Sequence, residues 1–94
     1  MKIEITWDSV KAKSNRLKHR VFFSDVEPVF YDPNAISFED TYSKGEARFI
    51  VIGLDSLGRL VVVAYTYRCS VIRIISARKA SKSEQKVYEK GIRF

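Results

Sequence analysis

Five arginines, Arg48, Arg59, Arg68, Arg73 and Arg78, fall on or beside stretches of β-branched and aromatic residues in this 94-residue chain. A strand holds its side chains in fixed directions, and a guanidinium grips phosphate oxygens through two parallel hydrogen bonds, so this set suits phosphate recognition. Each also has a blander reading, as a solvated strand end or as the ion-pair partner of Glu46, Asp55 or Glu84. His19 is the single histidine, and only histidine has an ordinary side-chain pKa close to neutrality; its alternative role is to meet the last carbonyls of a helix. A mechanism that needs two histidines is excluded. One His, one Cys and no acidic cluster at ligand spacing argue against a dedicated metal site. The sequence also carries no Gly-rich phosphate loop, nucleophile elbow or dinucleotide fingerprint. Cleavage of RNA by its own 2′-hydroxyl stays open, because it needs alignment, charge stabilisation at phosphoryl oxygens and two proton transfers rather than a metal. Arginine serves the charge but remains protonated. Protons would then pass through His19, or through Lys18, Tyr88, Glu84 or a water. Tyr42, Tyr65 and Tyr67 could stack on splayed bases, although packing across strands is the commoner use of aromatics at this spacing. Trp7, Phe22, Phe23 and Phe30 read as core, and Cys69 as incidental.

The elements that must position these groups follow from periodicity. Ile3 and Ile5 alternate with Glu4 and Thr6, predicting a short strand ending near Trp7. Asp8 is placed as an N-cap, and Val10, Ser14, Leu17 and Val21 recur at helical spacing beside a polar stripe of Lys11, Asn15 and Lys18, so a helix is expected over about 9–19. Phe22, Phe23, Val26, Val29 and Phe30 predict a second helix, with Ser24 and Glu27 at capping-box spacing and Asp32-Pro33 as its stop. Pro28 weakens that helix by removing a donor. Residues 35–39 alternate as an edge strand, and 41–45 are turn chemistry. Residues 48–54 and 59–67, joined by Asp55-Ser56-Leu57-Gly58, form a hairpin, and 71–77 a further strand after a turn at Cys69-Ser70. Short connections of this kind favour an antiparallel meander. Ser81 and Glu84 start a last helix that Gly91 stops. The expected architecture is α+β, a twisted antiparallel sheet with helices packed on one face, built as a single domain over residues 1–94.

Composition agrees with one folded core: 46% apolar, 30% charged, four glycines and two prolines. One cysteine cannot form an internal disulfide, and no apolar leader precedes the first strand, which points to a reducing compartment and a cytoplasmic protein. The longest apolar run, residues 60–65, is far short of a membrane span. The net charge of +6 is unevenly distributed. Residues 1–20 hold six basic against two acidic groups, residues 21–67 three against seven, and residues 68–94 eight against two. If the two basic ends meet, their field attracts phosphates while the acidic middle limits indiscriminate binding.

Several blocks resemble one family. Trp7-Asp8 with Lys11, Asn15 and Lys18-His19, then Glu46-Ala47-Arg48-Phe49, Gly58-Arg59-Leu60, Tyr65-Thr66-Tyr67-Arg68, and above all the run from Arg73 to Ala80 with Glu84 and Tyr88, are similar to the BrnT toxins. The resemblance covers nearly the whole chain. It implies a RelE-like fold and a ribonuclease toxin of a type II toxin–antitoxin system, with no metal or other cofactor. It also implies RNA as substrate, a BrnA-like antitoxin as partner, and DNA contact only through the antitoxin complex. Carried over by position, it marks Arg78, Arg48, His19, Lys18 and Tyr88 as catalytic candidates and Arg59, Arg73, Arg68 and Lys79 as substrate-binding ones. The family usually follows Lys-His with Gly, where this chain has Arg20, and has a small polar residue where Phe22 stands. A non-catalytic basic module that docks nucleic acid or an acidic partner is the alternative reading.

Overall fold

In the computed structural model, which describes residues 3–41 and 44–91, the apolar-polar alternation and the helix-starting carboxylate at the N-terminus form β1 (Ile5–Trp7) and α1 (Ser9–His19). Asp8 caps α1 by accepting from the backbone N–H groups of Val10 and Lys11, at 2.8 and 3.1 Å, and Arg16, Lys18 and His19 place positive charge in its last turn. The helix ends on Arg20, whose backbone is left-handed (φ 59°, ψ 32°) and whose N–H closes on the Arg16 carbonyl. This is the position where the resemblance leads to the expectation of a glycine. A side chain there costs energy that glycine avoids. Arg20→Gly is therefore expected to stabilise the protein by about 0.5–1 kcal/mol, seen as a higher urea midpoint with an unchanged slope.

The expected second helix is instead two 3₁₀ turns, Phe23–Asp25 and Glu27–Tyr31, neither with a side-chain cap. Pro28 opens the second turn, and with no N–H to give it breaks the continuous ladder that the apolar spacing suggested. Asp32 ends this segment in extended backbone. There follow β2 (Ile36–Asp40), β3 (Arg48–Leu54), β4 (Leu60–Arg68), β5 (Val71–Lys79) and α2 (Lys82–Lys90). Strands β2 to β5 form the antiparallel meander, and β1 joins the outer edge of β5 in parallel, giving the order β1-β5-β4-β3-β2. Alternation cannot report that direction. It comes from α1 and the long segment after it, which carry the chain across the sheet.

The core lies between one face of the sheet and α1 with the two 3₁₀ turns. Val51, Val63 and Ala77 face one another across three strands, and Val21, Phe23, Val26 and Val29 close over them. Each of these valine and phenylalanine side chains contributes about 1.5–3 kcal/mol by leaving water. Helix α1 packs the opposite way from its apolar pattern. Val10 and Leu17 are 76% and 70% exposed, while Asn15 is 7% exposed. Trp7 and Phe22, read as core, are also exposed, whereas Phe23 is buried. Helix α2 begins with a complete capping box: the Ser81 hydroxyl accepts from the Glu84 N–H, and Glu84 accepts from the Ser81 N–H. Gly91 ends it with φ 68°.

Candidate active site

Arg73 and Arg78 are five residues apart, so a regular strand would send them to opposite faces. A bulge in β5 changes this. Ala64 pairs with Ser76 and the next β4 residue, Tyr65, with Ile74, so Ile75 is an extra residue without a partner on β4. Beyond the bulge the phase is reset. Arg73 opposes Thr66, Ser76 opposes Ala64 and Arg78 opposes Val62, all on the face away from the core cluster. Small side chains at Ser76 and Ala64 leave a shallow floor between the two arginines, which stand roughly 13 Å apart along the strands.

Helix α1 borders that floor. Because β1 pairs with β5 only as far as Ile74, the Ala77 backbone has no strand on its outer side. Asn15 fills the gap: its Oδ1 accepts from the Ala77 N–H at 3.0 Å, and its Nδ2 donates to the Ala77 and Val21 carbonyls at 2.8 and 3.1 Å. The carboxamide acts as one residue of strand. It also sets the helix so that Lys11, Ser14, Lys18 and His19 line a groove of 190 Å³ with Ile75 and Ser76.

Two more cations lie toward the Arg73 end of this face. Arg48 and Arg68 join Arg73 around Glu46, whose carboxyl is held below the usual range first by the hydrogen bond from Arg68 and then by the charges of Arg68, Arg48 and Arg73. Arg68 reaches Glu46 through Nε and Nη2, at 3.1 and 3.4 Å. The Arg73 charge also acts on Asp8, though less than the two backbone N–H groups that lower its pKa. Arg73 thus lies between the cap of α1 and the Glu46 cluster. Arg78 pairs with Glu84 of α2 through Nη1 and Nη2, both at 2.8 Å. That hydrogen bond is the main reason the Glu84 pKa falls to about 2. The end-on edge of the guanidinium is taken; its side edge, Nε with the second Nη2 hydrogen, has no partner among the described residues. Among these residues, too, no three of His, Cys, Asp and Glu gather as a metal site requires.

The family model for the ribonuclease toxin BrnT of type II toxin–antitoxin systems matches residues 7–84. The chain belongs to the BrnT family. A solved structure, the ribonuclease toxin BrnT of Brucella abortus, is similar at 25% identity and a TM-score of 0.66, with 86% of this chain and 100% of that chain covered. No curated protein matches. As a BrnT-family member the chain is a ribonuclease toxin with the expected α+β fold. No helix among the described residues is long and apolar enough to cross a membrane.

The candidates carried over from the BrnT resemblance divide by position. Lys18 and His19 share the α1 groove, Arg73 and Arg78 flank its floor, and Arg48 and Arg68 stand beyond. Arg59 lies elsewhere. Its Nε meets Asp55 at 2.9 Å and its Nη1 the Arg20 carbonyl at 3.3 Å, because the Asp55 carboxylate has 0% side-chain exposure and needs a countercharge. That pair serves the loop from β3 to β4, where Asp55 also accepts from the N–H groups of Leu57 and Arg59. Three of the five arginines thus take the ion-pair alternative, each with one of the three carboxylates considered: Arg59 with Asp55, Arg68 with Glu46 and Arg78 with Glu84.

Tyr88 donates to Asp32 at 2.7 Å. Burial, and then Asp32, pushes its pKa up to about 12, so it tethers α2 and is a poor base at neutral pH. Lys79 opposes Val61 and so alternates away from Arg78. Tyr65 is 7% exposed against Phe30, Phe49 and Tyr67, and both tyrosines sit on the core side of the sheet, so neither meets the arginines. Tyr42 lies outside the described residues. Periodicity missed Asn15 and Ser76. Asn15 is visible in the sequence only as part of a polar stripe and Ser76 only as a small polar residue inside an otherwise apolar strand; both also lie within the blocks that resemble the BrnT toxins, but neither is given a role there.

Proposed function

We propose that the chain cleaves RNA without a metal, by attack of a ribose 2′-hydroxyl on the adjacent phosphate. The O2′–P bond forms as the P–O5′ bond breaks; one proton leaves the 2′-oxygen and one is delivered to the departing 5′-oxygen. The scissile phosphate sits over Ser76. Lys18 and the side edge of Arg78 stabilise charge on its oxygens, and His19 carries the protons. Arg48, Arg68 and Arg73 hold phosphates further along the same strand, since a span of about 13 Å exceeds one phosphate. Arg59, Tyr88 and Lys79 have no part in this reading. The observation that supports it best is the β5 bulge, which brings Arg73, Ser76 and Arg78 to one face beside Lys18 and His19. As a toxin acting on cellular RNA the protein works in the cytoplasm, and a cognate BrnA-like antitoxin neutralises it and brings the complex to DNA.

Cleavage of unstructured RNA in EDTA tests the reading. Wild type is expected to retain its activity in the chelator. Arg48→Ala is expected to raise KM several-fold with little change in kcat, and to flatten the dependence of log affinity on log salt by about 0.7, as loss of one single-strand phosphate contact should. Complete loss of activity in EDTA would remove the metal-free mechanism. Intact RNA recovered from a stable complex would leave a binding module in its place.

A further inference from the structure

The apolar stripe on α1 has no role in the fold. Val10 and Leu17 point straight into solvent, 76% and 70% exposed, on a helix whose inward positions are taken by Ala12, Asn15 and His19. Phe22, 47% exposed, extends the stripe. It forms a cavity of 310 Å³ with Arg16, Leu17 and Arg20, continuous through Arg16 and Phe22 with one of 240 Å³ that includes Trp7 and Lys13. Scattered apolar side chains are ordinary on a protein surface, but Leu17, Phe22 and Trp7 are joined by adjacent hollows, with Val10 two turns along the same helix face, and such a set marks a contact site. From this we infer that the outer face of α1 docks an acidic, amphipathic segment of the cognate antitoxin, an assignment that rests on the toxin–antitoxin reading.

Charge selects this occupant. Lys13, Arg16 and Arg20 rim the apolar stripe, and the Arg16 guanidinium lies 5.4 Å from the centre of the Phe22 ring. A second copy of the chain would bring two such rims together, like charge against like. A segment with apolar anchors and flanking carboxylates satisfies both parts of the surface. The opposite flank of α1 carries Lys11, Lys18 and His19, which line the groove. An occupant of the outer face therefore lies one helix width from the proposed scissile phosphate, and a short extension of it reaches the basic floor. Neutralisation follows from proximity without movement of the toxin.

Calorimetric binding of the purified antitoxin to the full chain tests the assignment independently of RNA cleavage. The double variant Val10→Glu, Leu17→Glu is expected to bind the antitoxin at least about 30-fold more weakly, the scale set by loss of central anchors. Its melting temperature and its RNA cleavage should be unchanged. Lys13→Glu with Arg16→Glu should weaken binding mainly by slowing association, and this effect should fade at high salt. Leu57→Glu, an equally exposed change in the loop from β3 to β4, should have no effect. Equal antitoxin affinity in the α1 double variant and wild type overturns the inference. So does a wild-type self-association that the double variant abolishes, or attachment of wild type to anionic phosphatidylserine vesicles in preference to the antitoxin. If the antitoxin does not bind wild type at all, this surface assignment and the partner both fall, while a positive cleavage assay leaves the nuclease standing.

Discussion

Arg78→Ala is expected to lower the cleavage rate at saturating RNA by about 10²–10³-fold, the cost of removing one charge-stabilising group from a phosphoryl transition state. The argument depends on which edge of the guanidinium is free. Glu84 occupies Nη1 and Nη2, which holds the plane of the group and leaves Nε and Nη2 aimed as a second fork. Arg78→Lys keeps the charge but cannot span both Glu84 oxygens, so most of the loss should remain. Glu84→Gln keeps Arg78 while loosening it, and a fall in kcat of about 10-fold with KM nearly constant is expected, as for a group that positions rather than binds. Melting curves separate this from damage to α2, because the Ser81 hydroxyl still caps that helix in the glutamine variant. The pH dependence has a defined sign. Glu84 is pulled from the ordinary glutamate range to about 2, so the ion pair adds stability above the unfolded pKa, and that stability is lost as pH falls toward 2. Between pH 5 and 8 neither cleavage nor stability should show a step from Glu84. Single-turnover cleavage at full rate by Arg78→Ala would take Arg78 out of the chemistry.

Asn15→Ala is expected to destabilise the fold by about 3 kcal/mol, because it leaves one buried N–H and two carbonyls without a partner. Asn15→Asp should be no better. A carboxylate can still accept from the Ala77 N–H, yet it turns its second oxygen toward the Ala77 and Val21 carbonyls, where Nδ2 now donates. Urea denaturation measures the loss directly. A second consequence concerns the site rather than stability. With the carboxamide gone, α1 is no longer keyed to β5, and Lys18 and His19 lose their register against Ser76. Cleavage by the fraction that remains folded should therefore fall as well, through kcat more than KM. A shift below 1 kcal/mol would mean that the three hydrogen bonds contribute little and that apolar contacts alone set the helix.

Local chemistry decided much of this molecule before any tertiary contact formed. The cap at Asp8, the strand Arg48–Leu54, the capping box of Ser81 and Glu84 and the stop at Gly91 depend on residues within a turn or two of one another, and all were legible in the sequence. So was the set of carboxylates that meets Arg59, Arg68 and Arg78, although not which pairs with which; the buried Asp55 in particular needs a countercharge. Pro28 already argued against a continuous second helix. Three features depended on the assembled sheet. The parallel docking of β1 has no local signature. The inward face of α1 follows from an unpaired strand edge at Ala77, which a carboxamide satisfies and an apolar side chain cannot, so Asn15 turned in and Val10 and Leu17 turned out. The meeting of Arg73 with Arg78 hangs on one extra residue at Ile75. Strand side chains alternate with a period of two, and counting along the sequence assigns opposite faces to residues five apart; only pairing with β4 reveals where the count slips.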